Sequence, residues 1–217
     1  MPDKTTLDPK WGQPDGTHDP RVLAHFQALE SDVLITTAPK AGTTWMQQIL
    51  YQMRSGGNTD FDNIDSVVPW LELPRRDKSW RQVLDDYDTL PRPRLFKTHC
   101  TAEQTPGIGT ARIILTVRDP RDCCVSFYHH LINMTDSARD MTGHQRPASF
   151  AAHVETWLKF AAWFRNVKSW WPYRDHEKVL LFRYEDLKRD PGAGVDRIAA
   201  FLNWVVTPEH KAKVLKY

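Results

Sequence analysis

Four short apolar runs constrain this chain more than any other feature: Val33-Leu34-Ile35, Leu95-Phe96, Ile113-Ile114-Leu115 with Val117, and Val179-Leu180-Leu181-Phe182. Each is too short for a helix and lacks the polar alternation of a half-solvated strand. Each therefore predicts a strand buried on both faces. Helical patterns follow them. Trp45, Met46, Ile49, Leu50 and Met53 share one stripe, closed by Gly56-Gly57. After the third run, Asp119 suits an N-cap, Pro120 the first helical position, and Asp122 the positive end of the helix dipole. Residues 21–29 read as a short helix, 151–171 as one long amphipathic helix, and 195–202 as another. Buried strands alternating with helices predict an α/β fold of three layers around a mostly parallel sheet. Residues 1–20, rich in Pro, Gly and Asp, read as an irregular arm. Residues 58–93 show little regular pattern, and 134–149, with Gly143 and Pro147, read as a mobile loop.

A length of 217 residues suits one domain spanning 1–217. Lys plus Arg number 29 against 27 Asp plus Glu, far from the clustered basic excess of a nucleic-acid binder. No stretch is apolar for long enough to cross a bilayer. Met1 to Thr6 lack the apolar centre of a secretory signal. Three cysteines, two of them adjacent, do not make a disulfide framework, so a reduced, cytoplasmic protein is expected. Neither Cys123-Cys124 nor His129-His130 has zinc-ligand spacing, and no metal is expected. The nine Trp serve either a core or a pocket for planar rings, and composition does not separate the two.

The strongest chemical signal is Thr37-Ala38-Pro39-Lys40-Ala41-Gly42-Thr43-Thr44-Trp45. It joins a buried strand to a helix, at the sheet edge where open α/β folds bind ligands. Free N–H groups at the helix start suit an anion, Gly42 permits close approach, and Lys40, Thr43 and Thr44 add a charge and hydroxyls. The loop is P-loop-like without being a nucleoside-triphosphate P-loop. That motif has Lys directly after its last Gly, whereas Lys40 precedes Gly42. A plain strand-to-helix turn with an exposed lysine is the alternative.

Two more stations lie on the same edge. Strand alternation puts Lys97 and His99 on one side, where a cation and an imidazole can serve a leaving group and a nucleophile. Arg118 ends the third strand with a guanidinium suited to phosphate, and Ser126 follows about two turns into the next helix. The alternatives are a solvated strand end and an Arg paired with Asp122 or Glu185.

These residues resemble the cytosolic-type sulfotransferases, from near Phe26 to the end of the chain. Pro39-Lys40-Ala41-Gly42-Thr43-Thr44-Trp45 is similar to the family's P-K-S-G-T-T-W loop, and Lys97-Thr98-His99 to its K-T-H segment. Arg118-Asp119-Pro120-Arg121-Asp122 with Val125-Ser126-Phe127-Tyr128-His129 is similar to R-N-P-K-D…V-S-Y-Y-H, and Tyr184-Glu185-Asp186-Leu187-Lys188 with Asp190-Pro191 to Y-E-D-x-K-x-D-P. The resemblance implies 3′-phosphoadenosine 5′-phosphosulfate as sulfuryl donor and a small hydroxyl compound as acceptor, with no metal. His99 is then the general base. Lys40, assisted by Lys97, stabilises the bridging oxygen. The loop from Lys40 through Ala41, Gly42, Thr43 and Thr44 holds the 5′-phosphosulfate, Trp45 and Tyr184 contact the adenine, and Arg118 and Ser126 hold the 3′-phosphate. The aromatic content and the 134–149 loop, as a lid, suggest an aromatic or apolar acceptor.

Ala41 stands where the family has Ser, Asp119 where it has Asn, and Cys100-Thr101 follow the K-T-H segment in place of its usual residues. The family's Arg-Lys-Gly segment, which grips the 3′-phosphate, has no counterpart before Tyr217, so a donor site short of one wall is expected. Two other readings compete: a nucleotide-binding relative without turnover, and a small-molecule kinase, which the misplaced lysine disfavours.

Overall fold

The computed structural model describes residues 7–216; the readings made on Met1–Thr6 and on Tyr217 lie outside them. All four apolar runs are strands: β1 (Val33–Thr36), β2 (Leu95–Thr98), β3 (Arg112–Val117) and β4 (Val179–Arg183). They form one sheet in the order β2-β1-β3-β4, with every pair parallel. Period-two alternation then sorts each strand between two cores. Leu34, Phe96, Ile113, Leu115 and Val179 enter one, and Val33, Ile35, Leu95, Ile114 and Phe182 the other.

Helices cover both faces, giving the expected three layers. They are α1 (Pro20–His25), α2 (Thr43–Ser55), α3 (Ile64–Val67), α4 (Trp80–Asp88), α5 (Pro120–Asn133), α6 (Asp136–Thr142), α7 (Phe150–Phe160), α8 (Ala162–Trp170), α9 (Tyr184–Arg189), α10 (Pro191–Leu202) and α11 (Pro208–Val214). Val22 and Leu23 of α1, Val83 and Tyr87 of α4, and Trp170 of α8 fill the first core. Met46, Ile49 and Leu50 of α2 and Val195 and Ile198 of α10 fill the second. No helix of the described residues is long and apolar enough to cross a membrane.

Several sequence expectations need correction. The helix expected over 151–171 is broken at Ala161, whose left-handed φ of 50° separates α7 from α8. Hydrophobic periodicity carries no trace of such a break when no glycine marks it. The supposed loop 134–149 contains α6, capped by Thr135 and closed by left-handed Gly143. The featureless stretch 58–93 holds α3 and α4. Asn63 caps α3, and Ser79 with Gln82 forms a capping box on α4. The helix of 195–202 begins earlier, at Pro191, because Asp190 accepts the Ala193 N–H. The helix of 21–29 runs instead from Pro20 to His25, with Asp19 as its cap. The described part of the arm is packed rather than loose: His18 Nε2 lies 2.6 Å from the Trp11 carbonyl, and Asp19 N–H donates to Glu72 O.

At the opposite edge from the active-site candidates, a buried ion pair sets the strand starts. Arg94 (1% exposed) donates from Nε and Nη2 to both oxygens of Asp32 (0% exposed), at 2.9 and 2.6 Å. The same guanidinium reaches Asp88 and the Gln27 carbonyl. Backbone bonds from Val33 to Arg94 and from Arg112 to Asp32 then start β1 between its neighbours. Removing one member of such a pair strands the other charge in the interior, at a cost of about 3–5 kcal/mol. Urea unfolding of Asp32→Ala should show a loss of that size; a loss within about 0.5 kcal/mol, as at ordinary surface positions, would rule out this clamp.

Candidate active site

The turn after β1 takes its shape from two positive-φ residues, Lys40 (67°) and Gly42 (101°). A side chain on Gly42 would meet the Tyr184 ring at 2.9 Å besides being strained by its φ. Gly42 starts α2 without a side-chain cap, and the backbone N–H groups of Gly42, Thr43 and Thr44 find no acceptor among the described residues. The first bond of the helix runs from Met46 N–H to Gly42 O. Open N–H groups at the positive end of a helix dipole form an anion site. Ala41 takes a different part from its neighbours. Its N–H donates to Ala38 O and its methyl is buried against Ala38 and Cys123, so the free donors come from the residues after it. Thr43 is buried with its hydroxyl bonded to that of Thr37, whereas Thr44 is exposed.

Three cations gather around this turn. Arg118 donates from Nη1 to the Lys40 carbonyl at 3.3 Å, and its guanidinium lies 4.7 Å from the centre of the Tyr184 ring. Its contact with Asp122 is 3.6 Å, too long for a hydrogen bond, and its Nε is buried without a partner. The pairing of Arg118 with Asp122 is thus present but loose, and the guanidinium keeps a buried donor free. Lys40 forms no ion pair among the described residues. Burial, then the neighbouring charges of Lys97 and Arg118, lower its pKa. Mutual repulsion and desolvation of this kind are relieved by a bound polyanion, so the residues present fit a phosphorylated nucleotide.

Trp45 and Tyr184 meet edge to face, with ring centres 5.7 Å apart, beside the same turn. Ser126 sits partly buried on α5. Asp119, the departure expected to put a carboxylate near a phosphate, caps α5. Two hydrogen bonds from Arg121 hold its pKa down to about 2. Trp163, delivered by the break at Ala161, donates its indole N–H to the Arg118 carbonyl at 3.1 Å.

The β1–β2 register brings His99 to this turn. Thr36 pairs with Thr98, and Thr37 N–H donates to Thr98 O. His99 Nδ1 lies 2.8 Å from the Thr37 carbonyl. A carbonyl only accepts, so Nδ1 carries the hydrogen and Nε2 of the neutral ring has a free lone pair. Burial is the main force lowering the His99 pKa, which keeps the ring neutral. Lys97 and His99 do share a side: both contact Trp70, Lys97 Nζ at 4.8 Å from the ring centre and the His99 ring at 5.0 Å edge to face. Lys97 is also paired with Asp65 at 3.1 Å.

Sequence reading missed Asp65, Trp70, Glu72, Trp163 and Asn166, and gave Thr37, the first residue of the turn, no role of its own. Glu72 Oε1 accepts the His99 backbone N–H at 3.1 Å, and Asn166 donates to the Cys100 carbonyl at 2.9 Å. Asp65, Trp70 and Glu72 lie in the stretch without pattern, where only the pairing of residues 69–71 with Lys97 brings them to β2. His18, Glu72 and Cys100, from three separate segments, also converge near this edge.

Comparison with known proteins points to one family. The family model described as "Sulfotransferase domain" matches residues 30–217. Human sulfotransferase 1E1 is 33% identical over 187 residues, covering 82% of this chain and 60% of that protein. Mouse sulfotransferase 1B1 is 30% identical over 207 residues, covering 90% and 66%. The chain thus spans about two thirds or less of the length of these relatives. Among solved structures, mouse sulfotransferase SULT7A1 complexed with PAP superposes with a TM-score of 0.71 at 26% identity, over 88% of this chain and 64% of that one. Retinol dehydratase, 18% identical with a TM-score of 0.67 over 90% and 67%, shares the fold.

Arg118→Ala should weaken binding of a phosphorylated adenine nucleotide by about 1.5–3 kcal/mol in calorimetry, the worth of hydrogen bonds to a charged group. Unchanged affinity would remove Arg118 from the site. With its loop, its sheet edge and its matched relatives in agreement, this chain belongs to the sulfotransferase domain family.

Proposed function

We propose that the chain transfers the sulfuryl group of 3′-phosphoadenosine 5′-phosphosulfate to a hydroxyl of a small acceptor, with His99 as general base. The observation that carries this reading is the His99–Thr37 bond, which leaves Nε2 as an acceptor on the edge where Lys40, Lys97 and Arg118 gather. The donor supplies an activated sulfuryl group on a phosphate leaving group. His99 Nε2 takes the acceptor's hydroxyl proton, and Thr37 O stabilises the resulting imidazolium through Nδ1. Lys40 neutralises charge growing on the leaving phosphate, with Lys97 behind it. The N–H groups of Gly42, Thr43 and Thr44 hold the phosphate in line. Trp45 and Tyr184 flank the adenine, and Arg118 with Ser126 receives the 3′-phosphate.

A cavity of about 320 Å³ opens beside His99, lined by Lys10, Thr101, Glu103, Gln104, Arg165 and Asn166 among others. This polar lining does not support the aromatic or apolar acceptor expected from composition. The 134–149 stretch, being partly α6, gives no ground for a lid. The acceptor we propose is a small hydroxyl compound with polar substituents. The three unpaired cysteines support a reducing, cytoplasmic setting, and the near-zero net charge supports a protein that does not bind nucleic acid.

His99→Ala should lower sulfuryl transfer by about 10²–10⁴-fold, measured with radiolabelled donor against a panel of hydroxyl compounds, while binding of PAP, the desulfated donor, stays unchanged in calorimetry. Undiminished turnover in that variant would refute the general-base role. PAP binding without transfer to any acceptor in the parent chain would refute the catalytic reading and leave a nucleotide-binding protein.

A further inference from the structure

We propose that His18, Glu72 and Cys100 form a binding site for a divalent cation of the zinc class, fastening the N-terminal arm to the C-terminal end of β2. One ligand atom from each residue lies within 4.8 Å of the other two. Metal–ligand bonds of about 2.0–2.3 Å in a tetrahedral site bring ligands to roughly 3.6 Å apart, so closure asks for a movement of about 1 Å at most. His18 is on the arm and only partly buried, which gives it room for that adjustment.

The hydrogen bonds around the three residues leave one donor atom of each available. His18 Nε2 lies 2.6 Å from the Trp11 carbonyl, so that nitrogen carries the hydrogen and Nδ1 keeps its lone pair. A carbonyl on the second ring nitrogen is a common device for orienting a ligating histidine. Glu72 is 2% exposed; its Oε1 takes the His99 N–H, while Oε2 is buried with no hydrogen-bond partner. The Cys100 backbone is held by Thr98, Thr36, Asn166 and Trp170, with its N–H bound to one hydroxyl and its carbonyl to three donors. Its thiol is buried, in no disulfide, and beside the Glu72 carboxylate.

Charge and chemistry select the ion. Glu72 forms no ion pair among the described residues, and a buried carboxylate without a counter-ion is costly. A cysteine thiol carries a proton until a metal takes its sulfur as thiolate. Entry of the cation displaces that proton to solvent; sulfur, nitrogen and oxygen each then donate an electron pair. One thiolate and one carboxylate balance the double positive charge. A sulfur–nitrogen–oxygen set suits zinc and rejects magnesium and calcium, which take oxygen alone. The site is built from other residues than the donor turn, so it stands whether or not the proposed transfer reaction does.

The test is titration of the metal-free chain with cobalt(II), followed by the thiolate-to-cobalt charge-transfer band, with zinc added in competition. One cobalt per chain is expected, displaced by zinc. The band should vanish in Cys100→Ser, and affinity should fall at least about tenfold in His18→Gln, the loss seen even for groups that only orient a ligand. Zinc should raise the thermal midpoint of the parent chain and leave that of folded Cys100→Ser unchanged. No charge-transfer band in the parent chain, or the same band in Cys100→Ser, would overturn the proposal. If Cys100→Ser does not fold, His18→Gln decides: unchanged cobalt affinity there also overturns it.

Discussion

The buried Arg94–Asp32 pair is the constraint from which the working edge of this protein follows. It lies at the start of β1 and β2, remote from any candidate chemistry, yet it ties together the segments that open the sheet. Parallel strands hold their register along their length, so a start fixed by Asp32 and Arg94 also fixes the finish. Thr36 therefore meets Thr98, and the next residues, Thr37 and His99, share the hydrogen bond that sets the imidazole tautomer. A slip by one residue would turn every side chain to the other face and take His99 away from Lys40. A buried ion pair is a poor source of net stability, but one placed at the starts of both strands is a good source of register.

At the finishing edge, the electrostatics favour a bound anion. Lys40 is desolvated beside Lys97 and Arg118, in a backbone conformation that side chains rarely adopt. Arg118 has a buried Nε without an acceptor, and the first turn of α2 has no side-chain cap. Each feature costs stability in a protein alone and is repaid by an anion with several negative oxygens. Local rules broken together at one place, within a fold that otherwise obeys them, mark a functional site.

The His99 imidazole depends on residues from three parts of the chain. Thr37 sets its tautomer, Trp70 lies against its ring, Glu72 holds its backbone, and Asn166 donates to the carbonyl of the next residue. Glu72 also faces Cys100 and His18, so the support of the imidazole and the proposed cation site share one carboxylate. The polar stretch between α2 and β2 thus supplies most of what surrounds the base.

Much of this was legible in the residues themselves. The four apolar runs carry their strand character and double-sided burial wherever they sit, because composition and period are local properties. The Asp-Pro helix start at Asp119 and the glycine in the turn at Gly42 are equally local. So are the residue types of the donor turn, the K-T-H segment and Arg118, which together mark the family. Tertiary structure alone decided the rest. The break at Ala161 has no glycine to announce it, and just beyond it Trp163 and Asn166 reach the sheet edge. Trp70 and Glu72 sit in a stretch without periodicity and become important only by pairing beside β2. His18, Glu72 and Cys100 have no mutual spacing to read, since three distant segments meet there only after the sheet has formed. Strand, cap and turn are written in neighbouring residues, whereas which side chains meet across the sheet edge is set by the packing of segments far apart in the chain.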